Sequence, residues 1–327
     1  AERFEYDDYN RTEIVPGAYF EYTYDPSVWF GLVAGIRGDY HNLYGFFYSP
    51  RLHMRVKLSE LSAFKVAIGK GQRTPNIFAE NIGYFVSARQ WVVEGEANDP
   101  GYGLQPEQAW NFGLNFTKKF LVGIADRPGT WTVDLYHTRF ENQVVIDLED
   151  ATMVRFYNLT GQSFSNSAQT EVDYELAKRT EIRLAYRYLD VRTDYQSGHL
   201  EKPFVPKHRA FASIGYKTKE TEKGGQWKFD LSGSWFGAQR IPNTSAKEPE
   251  FQLADYTEDF FTLHAQVTKV FSPKFEIYLG GENLNNYRQE NPILSSADPF
   301  SDQFDASMVW APIFGRMVYG GLRYTLN

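Results

Sequence analysis

The chain has 327 residues, no cysteine and a formal net charge of -7, which excludes a disulfide framework, a thiolate metal site and a Cys nucleophile. The acidic balance leaves no electrostatic footprint for nucleic acid. Aromatic residues make up 17%, with 26 Phe, 22 Tyr and 7 Trp, a richness usual where rings sit at an apolar to polar boundary. No apolar run reaches the roughly 18 residues of a membrane helix, so if the chain spans a bilayer it does so with strands.

The amino terminus, AERFEYDDYN, is charged and has no signal-peptide core; either a signal was removed or the chain is an internal piece of a longer one. A first strand is expected over 14–24. Over 28–40, VWFGLVAGIRGDY, the residues Val28, Phe30, Leu32, Ala34 and Ile36 share one face. Over 51–58, Leu52, Met54, Val56 and Leu58 oppose Arg51, His53, Arg55 and Lys57, and four basic side chains on one face cannot line an ordinary core. Long strands follow over 104–120 and 256–271. Between them, 131–136, 181–188 and 210–216 alternate in the same way, with Ile182, Leu184 and Tyr186 opposite Glu181, Arg183 and Arg187. The stretch QWKFDLSGSW, 226–235, sets Trp227, Phe229, Leu231 and Trp235 against Lys228, Asp230, Ser232 and Ser234. Two more strands come at 275–282 and the carboxyl end. This period of two throughout, with helical periodicity nearly absent, is an all-β pattern.

The joins sort by parity. Short ones fall at 25–27, 59–62, 126–129, 177–180, 217–225 and 272–274. Between them lie a medium join at 41–49 and long loops at 73–103, 191–206, 237–257 and 285–314; a brief loop at 148–151 is the one exception. An antiparallel up-and-down meander with short turns at one rim and long loops at the other is the pattern of a transmembrane β-barrel. About thirteen strands are expected. Trp227 and Trp235, about 26 Å apart along a strand, then mark the two edges of the bilayer, with Lys228 and Asp230 facing the lumen.

Four stretches carry a resemblance: Leu32-Val-Ala-Gly-Ile-Arg-Gly-Asp39 with Ser49-Pro-Arg-Leu-His53; Gly69-Lys-Gly-Gln-Arg-Thr-Pro-Asn-Ile-Phe78; Leu104-Gln-Pro-Glu-Gln-Ala-Trp-Asn-Phe-Gly113; and Gly281-Glu-Asn-Leu-Asn-Asn-Tyr287. In order and spacing they resemble TonB-dependent outer-membrane receptors of the Bacteroidetes type. The resemblance implies a barrel of twenty-two strands around a globular plug, driven by the inner-membrane TonB complex. Residues 1–327 read as barrel alone, with nothing like the plug or the short energy-coupling box, and Asn327 stands where the family ends on an aromatic residue. The expected protein is the carboxyl-terminal part of such a receptor, unable to transport alone.

A receptor of this kind, embedded in outer-membrane lipid and partnered by TonB through its plug and by a surface lipoprotein, needs loops that recognise a scarce ligand. A ferric siderophore or haem leads; cobalamin, another metal chelate or an oligomeric nutrient follow. The candidates are Tyr84, Phe85, Arg89, Trp91 and Tyr102 on the first long loop, Arg192, Tyr195 and His199 on the next, and Arg240 on the third, because aromatic and Arg side chains give large, orientable contacts. Rim aromatics and loop packing would place the same residue types there. Lumen or plug-facing positions are Arg51, His53, Arg55, Arg183, Arg187, Lys228 and Asp230. Asp298, Asp302 and Asp305 lie close in sequence, but without the EF-hand pattern they read as a solvated acidic loop, and no metal or cofactor is expected. The six His sit in no H-E-x-x-H motif and there is no G-x-S-x-G, so a barrel-rim enzyme trails; a passive porin is the other alternative.

Overall fold

In a computed structural model, the protein is described over residues 11–95, 100–123 and 126–326, with two short backbone pairs at Arg3–Phe4 and Asp7–Asp8. The expectations for the amino-terminal decapeptide and for Asn327 lie outside these residues. Thirteen strands form one sheet in chain order: β1 (Gly17–Ser27), β2 (Phe30–His41), β3 (Gly45–Ser59), β4 (Ser62–Arg73), β5 (Glu107–Val122), β6 (Arg127–Asn142), β7 (Ser163–Ala177), β8 (Thr180–Tyr195), β9 (His208–Lys217), β10 (Gln226–Phe236), β11 (Phe260–Ser272), β12 (Phe275–Glu282) and β13 (Met317–Tyr324). Each pairs antiparallel with the next, and Gly198–Glu201 adds a short arm to β8. Among the described residues β1 and β13 have one partner each, so the wall is open.

The register places the alternation on two continuous faces. One rung reads Leu32, Met54, Val66, Leu114, Leu135, Ala168 and Tyr188 across seven strands. It is apolar and belongs to the outer face, as do the exposed Trp227, Phe229 and Leu231. The neighbouring rung on the other face reads Gly31, Arg55, Lys65, Asn115, Asp134, Gln169, Arg187, Arg209, Phe236 and Phe260. Antiparallel rungs run perpendicular to the strands and barrel strands tilt, so this row climbs from the short-turn end of β2 to the long-loop end of β10 and β11. Apolar outside and polar inside is the barrel pattern. Arg51 with Glu21, Arg183 with Asp173 and Lys228 with Glu276 are ion pairs of the inner face. A concavity of about 430 Å³ lined by Arg183, Asp230, Ser232 and His264 follows it.

Three boundaries differ from the sequence reading. The join at 41–49 is only the turn Asn42–Tyr44, because β3 begins at Gly45, whose φ of +79° suits glycine. Strand β8 runs on to Tyr195, so Arg192 and Tyr195 stand on a strand rather than in a loop. The brief loop at 148–151 is the tip of a hairpin, Val144–Asp147 with Met153–Asn158, inside one long connection between β6 and β7. That removes the exception to parity: short turns at one rim, and at the other the Asn42–Tyr44 turn and five long loops. The buried apolar clusters lie almost entirely in those loops. Wall side chains meet lipid or lumen, so only the loops can bury both sides of an element.

Candidate functional site

The long loops pack against one another into a cap at one rim of the wall. Its centre is a three-stranded sheet in which Met153–Asn158 pairs parallel with Gln90–Val93 and antiparallel with Val144–Asp147. A short helix, α1 (Ile77–Glu80), starts where the Asn76 side chain accepts from the Ala79 amide at 3.1 Å. Trp91 sits between them, stacked on Phe85 at 4.1 Å and near Phe78 at 5.5 Å and Phe156 at 5.0 Å. Tyr84 packs at the edge of this cluster, with its phenol raised in pKa by burial. The Tyr102 hydroxyl donates to Asn76 at 3.0 Å, and the Arg11 guanidinium lies 4.7 Å over its ring.

Charged ties lock the loops to one another. Arg89 Nε donates to Asp305 Oδ2 at 2.8 Å, and its Nη1 reaches the carbonyls of Leu148, Asp150 and Met153. Arg240 makes a two-pronged pair with Glu149 at 2.7 and 3.0 Å and donates to the Glu201 carbonyl at 2.6 Å. Burial works to lower the Arg240 pKa, but the Glu149 carboxylate outweighs it and the net shift is upward. The Tyr157 hydroxyl donates to Asp147 at 2.6 Å; burial, then that bond, raises its pKa well above the ordinary phenol value.

The nine candidates therefore separate. Tyr84, Phe85, Trp91 and Tyr102 share the aromatic cluster, with Trp91 and Tyr102 buried in it, while Arg89 is buried apart from the rings, in its ties to Asp305 and the 148–153 carbonyls. Tyr195 and Arg240 meet at 5.8 Å, both buried. Arg192 pairs with Asp190 and Glu201, and His199 with Asp194, on the outer-face register of the β8 extension. Asp305 is fully buried against Arg89 and Ser307, while Asp298 and Asp302 close local turns, so the three carboxylates do not converge. Among the described residues no cluster of three metal-ligating side chains occurs.

A second feature was not anticipated. Below the cap, a cavity of about 620 Å³ opens at the upper end of β9 to β12, lined by Arg209, Phe236, Phe260, His264, Glu282 and Trp310. Phe236 and Phe260 stack at 4.8 Å, Phe260 and Tyr287 at 4.9 Å, and Trp310 lies 5.9 Å from Phe260. Arg209 sits 5.0 Å over the Phe236 ring. The signal was legible: Phe236 and Phe260 occupy inner-face parity, where the rest of their strands is mostly polar. An aromatic pair there has no lipid to explain it.

Residues 2–284 match the family described as TonB dependent receptor-like, beta-barrel. No curated protein matches the sequence. Among solved structures, the ferric enterobactin receptor of Pseudomonas aeruginosa is similar with a TM-score of 0.66 at 15% identity, over 95% of this chain and 45% of that one. The siderophore receptor PirA of Acinetobacter baumannii gives 0.65 at 16% identity, over 95% and 46%. The ferric-catecholate import receptor Fiu of E. coli K12 gives 0.63 at 14% identity, over 96% and 45%. The chain thus spans less than half the length of these receptors, and at this identity the likeness is one of fold. The family is one of transport receptors rather than enzymes. It follows from wall, register and family together that this chain belongs to the β-barrel part of the TonB-dependent receptors and resides in the bacterial outer membrane.

Proposed function

We propose that the chain is the carboxyl-terminal barrel portion of a receptor that binds a scarce ligand, a ferric siderophore or haem foremost, and imports it with TonB-coupled energy. The observation that carries this reading is the aromatic cavity at the long-loop end of a polar inner row, beneath a cap of packed loops. A diffusion pore needs the polar row but has no use for stacked rings under a folded cap. The relatives named for ferric enterobactin and ferric-catecholate ligands support an iron chelate as cargo. Energy would reach the site through a plug domain outside this chain. The wall contacts lipid along its outer face, and a surface lipoprotein is a further partner in this reading, whose Bacteroidetes assignment rests on the sequence motifs.

The test is uptake of radiolabelled iron as siderophore chelates and as haem by cells carrying the full-length receptor, with and without a working TonB. Saturable uptake that stops when TonB is deleted is the expected outcome. Non-saturable passage through the purified protein, with no ligand affinity and no energy requirement, overturns the reading.

A further inference from the structure

Arg187 and Arg209 face each other directly on β8 and β9, on the inner row. Side chains directly opposite in an antiparallel pair stand about 5 Å apart at Cβ, and like charges there repel. Other inner-face arginines are neutralised: Arg37 by Asp39, Arg51 by Glu21, Arg183 by Asp173 and Arg323 by Glu276. Arg187 and Arg209 have no carboxylate at ion-pair distance among the described residues. The Arg187 Nε is shielded from solvent and makes no hydrogen bond. Another like-charge juxtaposition, Arg55 with Lys65, lies toward the opposite rim, where Asp25 and Arg55 both reach over Gly31. The upper pair has no such carboxylate. Glu282 lines the adjoining cavity without pairing to Arg209.

A guanidinium pair left in this state is suited to an anion, since planar N–H forks match carboxylate and phosphate oxygens. What adjoins it is apolar: the Phe236 ring under Arg209, then Phe260, Tyr287 and Trp310. We propose that Arg187 and Arg209 together bind the carboxylate or phosphate of a ligand whose flat apolar body lies in the cavity beside them. Naming that ligand as cargo rests on the transport reading; the anion site does not. The same carboxylate chemistry has a second source, an acidic side chain of a segment filling the lumen, and the experiment separates the two.

The full-length receptor in nanodiscs is titrated calorimetrically with naphthalene-2-carboxylate, the neutral naphthalene-2-methanol and inorganic phosphate. Naphthalene-2-carboxylate is expected to bind saturably and more tightly than either of the others. Arg187→Gln and Arg209→Gln should each weaken it by about tenfold, the loss of a charge-assisted contact, and weaken the neutral analogue much less. Without ligand, Arg187→Gln should raise the melting temperature, because it removes repulsion and no bond. Binding of the carboxylate by both variants as tightly as by the parent overturns the proposal. So does a lowered melting temperature in both ligand-free variants, which identifies a protein carboxylate as the natural occupant. Carboxylate binding that survives while uptake proves independent of TonB defeats the transport reading alone; loss of the binding with TonB-dependent uptake intact defeats the anion site alone.

Discussion

Arg89 and Asp305 stand 216 residues apart in the chain and form a 2.8 Å ion pair with side chains 1% and 0% exposed. Through its further bonds to Leu148, Asp150 and Met153, Arg89 ties together the β4–β5, β6–β7 and β12–β13 connections. Removing one partner of a buried pair costs about 3–5 kcal/mol, because the other charge is left unsatisfied. Arg89→Met should therefore loosen the cap while leaving the wall folded. Limited proteolysis within 282–317 should accelerate, with the barrel's melting transition little changed. The double variant Arg89→Met with Asp305→Leu should restore much of the protection.

Lys247, nearly buried in the β10–β11 loop, donates at 3.2 Å to the Gln303 carbonyl. Burial lowers its pKa; Asp305 and Asp302 oppose the shift and Arg89 assists it. The folded value lies below the ordinary 10.5, so the folded cap releases the proton first as pH rises. Below the folded pKa the cost of burying the ammonium is borne in full; it falls through the interval and is gone above the ordinary value. The cap should gain stability from this group as pH climbs toward 10.5. Lys247→Met should protect amides at 243–253 relative to the parent at pH 7, and the difference should vanish at high pH in hydrogen-exchange mass spectrometry. A variant less protected at pH 7 would contradict this.

Leu231 and Ser232 are neighbours on β10 and belong to opposite faces, paired with Ala265 and His264. Arginine at a lipid-facing position in the middle of the wall costs about 2–4 kcal/mol, whereas an inner-face charge meets water. Leu231→Arg should lower stability in lipid bilayers by that amount and Ser232→Arg by much less. Equal costs would mean that the register of this strand is wrong.

Gly113 on β5 lies under the Tyr136 ring of β6, close enough that a Cβ would sit 2.5 Å from a ring carbon. Gly113→Ala must displace the ring, and overpacking of this kind costs about 1–3 kcal/mol. A lowered unfolding midpoint, recovered in part by adding Tyr136→Ala, is the expected result.

Parity along each strand was readable because strand side chains alternate with a local period of two. Four consecutive letters sort Trp227 and Phe229 onto one face and Lys228 and Asp230 onto the other, and Lys228 pairs with Glu276 on its own face. The β6–β7 connection was misread because its inner hairpin, 144–147 with 153–158, also alternates, and nothing local distinguishes a strand in the wall from one in the cap. Arg89, Trp91 and Arg240 carry chemistry that suits a ligand, and the same chemistry closes loop to loop.

Alternation and the order of short and long joins by themselves determined that this chain is a lipid-facing wall with a polar inner side. Those signals suffice because each depends only on residues within one strand or one turn. The tertiary structure alone decided that Arg89 meets Asp305, that Arg187 faces Arg209, and that Phe236 and Phe260 stack beside Trp310. Each of these contacts joins distant segments whose meeting is set by register and by how the loops pack, and no local period records it.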